Sequence, residues 1–341
     1  MNPPGHPSVD WAYMVAAIAE GDRARMIAPP NPWVGAVLVE PGGRRHVGHT
    51  ERPGGRHAER VALDRAGSAA VGSTLYVTLE PCSHHGRTPP CVDAVIEAGV
   101  ARVVVAIRDP DPNVAGGGLR RLRDAGLEVE VGVGADRVSE QLEAYLHHRT
   151  TGRPFVVAKM ACTLDGRVAA ADGSSRWITG PEARADGHRL RATADAILVG
   201  AGTVRADDPS LTVRDWTPPA PLKLDDVQPI RVVLGTAPPD ARAQPFLEVD
   251  GDLREVLRDL ADRGVVELLV EGGPTVIGDL QDAGLIDEYV IYLAPAVLGP
   301  MGTPMFAGDS AETIDDIWRG DIVGVERLGS DLRIRVRPRI P

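Results

Sequence analysis

Cysteine is scarce in this chain of 341 residues, with only three present. Three thiols cannot close a paired disulfide framework, so they stay available for packing or for metal chemistry. Aromatic residues are also few, at 4%. With 43% hydrophobic residues overall, the cores must be built mostly from Val, Leu, Ile and Ala. Positive charge is in deficit: 37 Lys and Arg stand against 48 Asp and Glu, a formal net charge of −11. That balance excludes a general nucleic-acid surface but leaves room for an anionic small molecule at a local arginine cluster. Long apolar helices are missing too. The longest uncharged run, residues 289–308, is broken by Pro295, Gly299, Pro300, Gly302 and Pro304, which rules out a membrane helix there. The first Lys or Arg is Arg23 and no apolar core follows it, so no secretory leader is expected and the cytoplasm is the expected compartment.

What is present reads as α/β, at a length that suits two domains. Apolar spacing predicts a helix over 9–20, a strand over 34–39, a helix opening at His57 and a strand over 74–79. Thr88 is a candidate N-cap, with Pro89 and Pro90 in the first turn, which places Cys91 near a helix start. A strand over 102–107, a helix over 119–125, a short strand over 128–133 and one helix over 135–149 complete this half. The boundary falls at Thr151-Gly152-Arg153-Pro154, giving domains 1–150 and 153–341. The second half carries strands over 155–162, 196–199, 230–234, 265–270 and 288–294, and a hairpin within 322–336. The Pro-rich stretch 216–226 is expected to be a surface loop. Residues 235–251 run almost directly from a strand into a helix over 252–263.

The chemistry concentrates in His57-Ala58-Glu59 and in Pro81-Cys82 with Cys91. One imidazole and two thiolates make three zinc ligands and leave a fourth position for water. Glu59, on the first turn of the helix that His57 opens, stands beside the metal without binding it and is placed to shuttle protons. His-x-Glu followed by Pro-Cys-x-x-Cys is the zinc-deaminase pattern. Here Ser83 to Pro90 separate the cysteines, eight residues instead of two. The alternative, buried apolar cysteines and a helix-start histidine, does not account for the carboxylate. Cys162, alone in a strand pattern, reads as core. His84 and His85 read as loop-shaping or substrate-touching, and His6, His46, His147 and His148 as solvated.

In the second half, Gly200-Ala201-Gly202 and Glu271-Gly272-Gly273 each follow a strand. Such glycines let backbone approach a ligand at a helix start, and equally fit tight βα turns. No Gly-x-Gly-x-x-Gly opens a βαβ unit, so a Rossmann site is not indicated. On the helix over 181–191, Ala183, Gly187 and Leu190 form one face, and Arg184, His188 and Arg191 its neighbour. Arg191 and Arg214 are a candidate phosphate clamp, the alternative being a solvated basic face.

Over nearly its full length the chain resembles the bifunctional riboflavin-biosynthesis deaminase–reductases. The matching stretches include Pro30-Asn31-Pro32-Trp33-Val34-Gly35, Glu80-Pro81-Cys82-Ser83-His84-His85-Gly86-Arg87-Thr88-Pro89-Pro90-Cys91, Lys159-Met160-Ala161-Cys162-Thr163-Leu164-Asp165-Gly166 and Gly200-Ala201-Gly202-Thr203-Val204-Arg205-Ala206-Asp207-Asp208-Pro209. The long cysteine loop is characteristic of that family among zinc deaminases. The resemblance implies a cytidine-deaminase-like domain followed by a dihydrofolate-reductase-like domain. It implies deamination of 2,5-diamino-6-ribosylamino-4(3H)-pyrimidinone 5′-phosphate at zinc, then reduction of the ribosyl group to ribityl with NADPH. It places Asn31 and Arg87 on the first substrate, and Ser175, Arg191, Leu211, Arg214 and Glu271 on the second. Ala161, Trp177, Thr203, Asp207 and Gly273 fall to the cofactor, and Asp207, Lys159 and Glu271 are candidates for protonating the opened sugar imine. Where many members carry histidine this chain has Thr50, beside His49, and Asp109-Pro110-Asp111-Pro112 replaces Asp-Pro-Asn-Pro; residues 235–251 are short for the family, and by that resemblance a strand and part of the cofactor's outer wall are expected to be missing. The resemblance also implies a homo-oligomer through the reductase domain. The alternatives are a deaminase alone, with a degenerate C-terminal domain serving oligomerisation, and a metal sensor, which would have no use for Glu59.

Overall fold

The computed structural model describes residues 9–84, 89–111, 116–309 and 311–339. They form two compact units that divide between Gly152 and Arg153.

In the first unit the chain runs α1 (Val9–Ala24), β1 (Gly35–Val39), β2 (Arg45–His49), α2 (Ala58–Ala66), β3 (Thr74–Leu79), α3 (Cys91–Glu97), β4 (Arg102–Ile107), α4 (Gly117–Asp124), β5 (Glu128–Val131), α5 (Ala135–Gln141) and α6 (Glu143–Thr151). The sheet order is β2-β1-β3-β4-β5, antiparallel on the β2 side and parallel from β3 to β5. β1, β3 and β4 read as continuous apolar runs because helices cover the sheet, and their central residues are fully buried. Gly35 cannot be replaced: a Cβ there would lie 1.8 Å from the Ala17 carbonyl oxygen, so its absence lets α1 lie against β1.

The second unit runs β6 (Phe155–Thr163), β7 (Arg167–Ala169), α7 (Pro181–Thr193), β8 (Ala196–Gly200), α8 (Ala201–Asp207), β9 (Ile230–Leu234), β10 (Leu247–Val249), α9 (Leu253–Asp262), β11 (Glu267–Val270), α10 (Pro274–Asp282), β12 (Glu288–Ala294), β13 (Thr303–Pro304), β14 (Gly320–Leu328) and β15 (Asp331–Pro338). Its eight-stranded sheet has the order β10-β9-β8-β11-β6-β12-β15-β14. All neighbours are parallel from β10 to β12, and β15 and β14 close the sheet antiparallel. Its core joins Val156, Ala158, Leu198, Val232, Leu268 and Val270 of the sheet to Leu257 and Leu260 of α9 and Ile277 and Leu280 of α10.

Four expectations need correction. Residues 235–251 do not lack a strand: β10 lies there and pairs with β9. Three residues between loops carry too short an apolar alternation to stand out, and it is the pairing that defines them. The helix expected over 135–149 is two, broken at Leu142, whose ψ of 13° leaves the helical range. Pro90, not Thr88, precedes α3, and Cys91 is that helix's first residue; Thr88 lies outside the described residues. His46 is not solvated. It is buried with Nε2 2.6 Å from Glu40 Oε1, while His147 and His148 are half-buried.

Candidate active sites

His57 occupies the residue before α2, in extended conformation, so its ring leaves the helix end while Glu59 sits in the first turn. Cys82 follows β3 through Glu80 and Pro81. Glu80 is buried and ties this turn to the start of α4: Oε2 accepts from the Gly116 amide at 3.1 Å and Oε1 from the Leu119 amide at 3.1 Å. Cys91 closes the set, its amide donating to Cys82 Sγ at 3.3 Å. His57 Nδ1 lies 3.6 Å from Cys82 Sγ and 3.4 Å from Cys91 Sγ, and the three donor atoms fall within 4.8 Å of one another.

That geometry fits zinc. Zn–N near 2.0 Å and Zn–S near 2.3 Å at a tetrahedral angle put N and S roughly 3.5 Å apart. Of the two thiols, contact between them favours ionisation at Cys82, whose thiol is drawn down with the aid of His57 and against burial, while Cys91 is pushed up. Glu59 is 3% exposed, and burial pushes its carboxyl up to about 7 against the pull of His57.

A cavity of about 130 Å³ opens on this cluster. Asn31, Thr50, His57, Glu59 and Cys82 line it, so the substrate asparagine expected from sequence comes together with the donor set. Thr50 is itself committed, its Oγ1 accepting from the Val34 amide at 3.1 Å. Arg87 lies outside the described residues. Asp109, Asp111, Tyr145 and Arg149 also line the cavity; sequence reasoning met the two aspartates only as a departure from the family pattern and missed Tyr145 and Arg149. Tyr145 Oη donates to both Asp109 oxygens, at 3.3 and 3.2 Å, and the Asp111 amide donates to Oδ1 at 3.0 Å. Burial nevertheless raises the Asp109 carboxyl to about 6. Nothing in the sequence linked those aspartates to Tyr145 and Arg149 on α6.

In the second unit a cavity of about 1080 Å³ lies at the C-terminal ends of the parallel strands, where open α/β sheets bind ligands. Every reductase residue expected from sequence lines it: Ala161, Ser175, Trp177, Arg191, Thr203, Asp207, Leu211, Arg214, Glu271 and Gly273. The volume suits a dinucleotide with a second ligand. Gly200 and Gly272 let these strand ends pack closely against α10, since a Cβ on either would come within 2.8 Å of Val276. Arg191 donates from Nε and Nη2 to Glu271 at 2.7 and 2.9 Å, and from Nη1 to the Thr212 carbonyl at 3.0 Å. Its fork is therefore spent on Glu271 rather than free beside Arg214. Burial would raise the Glu271 carboxyl, but the Arg191 and Lys159 charges outweigh it and hold it at about 2. Lys159 Nζ is 3.9 Å from Glu271 Oε2. His188 is buried, with Nδ1 accepting from the Arg214 amide at 3.3 Å, so it belongs to the packed side of α7 and not to a solvated basic face.

Residues 7–107 match the family model described as cytidine and deoxycytidylate deaminase zinc-binding region, and residues 154–334 match the RibD C-terminal domain. Riboflavin biosynthesis protein RibD of Mycobacterium tuberculosis is 47% identical over 336 residues, covering 95% of this chain and 96% of that protein. The structure of Acinetobacter baumannii RibD, form 1, aligns with a TM-score of 0.91 at 37% identity, over 97% of this chain and 99% of that one. A Thermotoga maritima diaminohydroxyphosphoribosylaminopyrimidine deaminase/5-amino-6-(5-phosphoribosylamino)uracil reductase aligns with a TM-score of 0.85 at 33% identity, over 96% and 98%. Fold, donor set and cavity thus define a bifunctional enzyme, a zinc-dependent deaminase joined to an NADPH-dependent reductase. The chain belongs to the RibD family of riboflavin biosynthesis proteins. A deaminase with a degenerate C-terminal domain is not favoured, since the reductase match spans that domain. No helix among the described residues is long and apolar enough to cross a membrane.

Proposed function

We propose that residues 1–150 deaminate 2,5-diamino-6-ribosylamino-4(3H)-pyrimidinone 5′-phosphate and that residues 153–341 reduce the product's ribosyl group. The observation that carries this reading is the buried Glu59 beside the His57, Cys82 and Cys91 donors. Those three residues would hold the metal. Bound zinc supplies a Lewis acid that makes hydroxide available near neutral pH. Glu59 takes the proton from the attacking water and passes it to the departing amine, a role its burial and raised carboxyl suit. Asn31 presents both a donor and an acceptor to the pyrimidine edge, and Asp109, held by Tyr145, lines the same cavity. Arg87 is assigned to the ribose phosphate.

In the reductase cavity, Ala161, Trp177, Thr203, Asp207 and Gly273 are assigned to the cofactor, and Ser175, Arg191, Leu211, Arg214 and Glu271 to the substrate. NADPH supplies the hydride that reaches the sugar C1, and the protein's part is placement and proton supply. Glu271, held ionised, is no proton donor at neutral pH; it orients Arg191 and Lys159. Lys159 is deeper in the cavity than Asp207, which sits exposed at the end of α8. The ammonium is therefore the favoured donor to the imine nitrogen, with Asp207 at the rim. Arg214, half-exposed, meets the phosphate. We further assign the protein to the cytoplasm and to a homo-oligomer assembled through the reductase domain.

One coupled assay tests the reading. Zinc-loaded protein should release ammonia from the diaminopyrimidine phosphate and consume NADPH only after that release. NADPH consumption without prior ammonia release, or no ammonia at all, overturns the assignment.

A further inference from the structure

Lys159 is thinly held for a residue that delivers a proton. It reaches the reductase cavity from β6 on a flexible four-carbon stem. Among the described residues Nζ donates no hydrogen bond, and its one ion pair is with Glu271, 3.9 Å away. Glu271 has little left to offer, since Arg191 donates to both of its oxygens, at 2.7 and 2.9 Å. A carboxylate so engaged does not by itself fix the direction of a second cation.

A second group faces the ammonium. Nζ lies over the Tyr292 ring, 5.7 Å from its centroid. The pairing of β6 with β12 sets this up: Val290 stands beside Lys159 and Tyr292 beside Ala161, so Tyr292 lies two residues on, on the same face of the sheet. The ring is 1% exposed and is not among the residues lining the cavity, so it meets Lys159 without meeting a ligand. Its far end is tied. Tyr292 Oη donates to Asp186 Oδ2 at 2.7 Å, and Asp186 also accepts from Arg333 Nη1 at 2.7 Å and from Arg189 Nε at 2.6 Å. Burial and the Asp186 charge push the Tyr292 phenol well above its usual range, so Oη stays a donor. The contacts run from β15 through α7 and β12 to β6, from one regular element to the next.

A cation is drawn to the negative face of an aromatic ring, and more strongly where water is excluded. The ring therefore pulls the ammonium against the pull of Glu271. Without it, Nζ would close the 3.9 Å gap and spend its protons on the carboxylate. Resting on the reading of Lys159 as proton donor, we propose that Tyr292 is a positioning residue for the reduction: its ring, tied by Asp186, holds the Lys159 ammonium off Glu271 and ready for the imine nitrogen. As hydride reaches the sugar C1, the C=N π pair moves onto nitrogen, which takes a proton from Nζ. Tyr292 itself exchanges no proton.

The test uses the full-length protein with NADPH and the preformed deaminated pyrimidine phosphate. Tyr292→Phe keeps the ring. Replacement of Tyr292 by 3,4,5-trifluorophenylalanine keeps the ring's shape and weakens its negative face, so neither change empties the space the ring fills. Hydrogen exchange of β12 and α7 peptides checks that both variants fold. Tyr292→Phe should keep kcat within about 3-fold of wild type, and the fluorinated ring should lower it by about a further 3- to 10-fold, with KM for both ligands and ammonia release unchanged. In a Lys159→Met background, read from its residual turnover, the same two rings should give equal rates, because the ring acts only through the ammonium. Equal kcat for the two rings with Lys159 present, a change confined to KM, or the same loss in the Lys159→Met background overturns the positioning role while leaving Lys159 as donor. Lys159→Met with the kcat of wild type overturns the donor reading, and the role of Tyr292 with it.

Discussion

Removing Arg191 should convert a stabilising ion pair into a buried, under-partnered carboxylate. The two side chains are 13% and 11% exposed and share two short hydrogen bonds. Breaking a buried pair by deleting one partner costs about 3–5 kcal/mol, because the other charge stays desolvated. A second route gives a similar figure. The Glu271 carboxyl falls from 4.5 to about 2 on folding, and that shift corresponds to roughly 3 kcal/mol through linkage. Since the folded value is the depressed one, this stability is present above pH 4.5 and is lost as pH falls toward 2. Lys159, 3.9 Å away, softens the loss, so Arg191→Ala should lower stability by about 3 kcal/mol at neutral pH. Because the chain has two units, the measurement is hydrogen exchange of peptides from α7 and β11, not a single melting temperature. Wild type should lose protection in these peptides between pH 5 and 2, and Arg191→Ala should start lower with a flatter profile. Arg191→Ala within about 0.5 kcal/mol of wild type, or an identical acid profile, would refute the account, since that is the ordinary scatter of surface changes.

Glu59→Gln should retain one zinc by metal analysis yet lose ammonia release by about 10²–10⁴-fold, and undiminished release would sink its role as proton shuttle. Cys91→Ser should lose zinc and deaminase activity together, measured by metal content and ammonia; a zinc-loaded, active variant contradicts the ligand set. Asp109 has a folded carboxyl raised to about 6, so it binds its proton more tightly folded than unfolded and destabilises the first unit as pH rises from 4 to 6. Asp109→Asn should therefore raise neutral-pH stability by about 1–3 kcal/mol while lowering deaminase turnover, checked by hydrogen exchange of β4 and α6 peptides alongside ammonia release. Gly272→Ala would place a Cβ 2.8 Å from Val276 Cβ at the head of α10. Displacement of α10 at the cavity lining should lower NADPH affinity with ammonia release intact, and unaltered NADPH binding would refute that coupling.

Much of the fold was legible because buried parallel strands announce themselves. The bounds expected for residues 74–79, 102–107, 230–234 and 288–294 coincide with β3, β4, β9 and β12. Each is a short apolar run between turn signals. β2 and β10 left no such run. β2 alternates buried and exposed residues around two histidines, and β10 has three residues, so pairing with β1 and β9 defines them. The break at Leu142 escaped for a related reason: the helical spacing continues through it.

The sites divide the same way. His57, Glu59, Cys82 and Cys91 were readable because their chemistry needs fixed residue types at helix starts and strand ends, and such constraints act locally along the chain. Tyr145, Arg149 and their link to Asp109 were not, because a Tyr–Asp contact across 36 residues leaves no spacing rule. Sequence alone determined the α/β class, the three zinc-type donors and the carboxylate beside them, and only resemblance to a family named the residues that line the reductase cavity. Tertiary structure alone decided which charges are free. It committed Arg191 to Glu271, turned His188 inward and left Arg205 and Arg242 exposed. A side chain's charge is written in the sequence, but its partner is set by which strand ends and loops the sheet brings together.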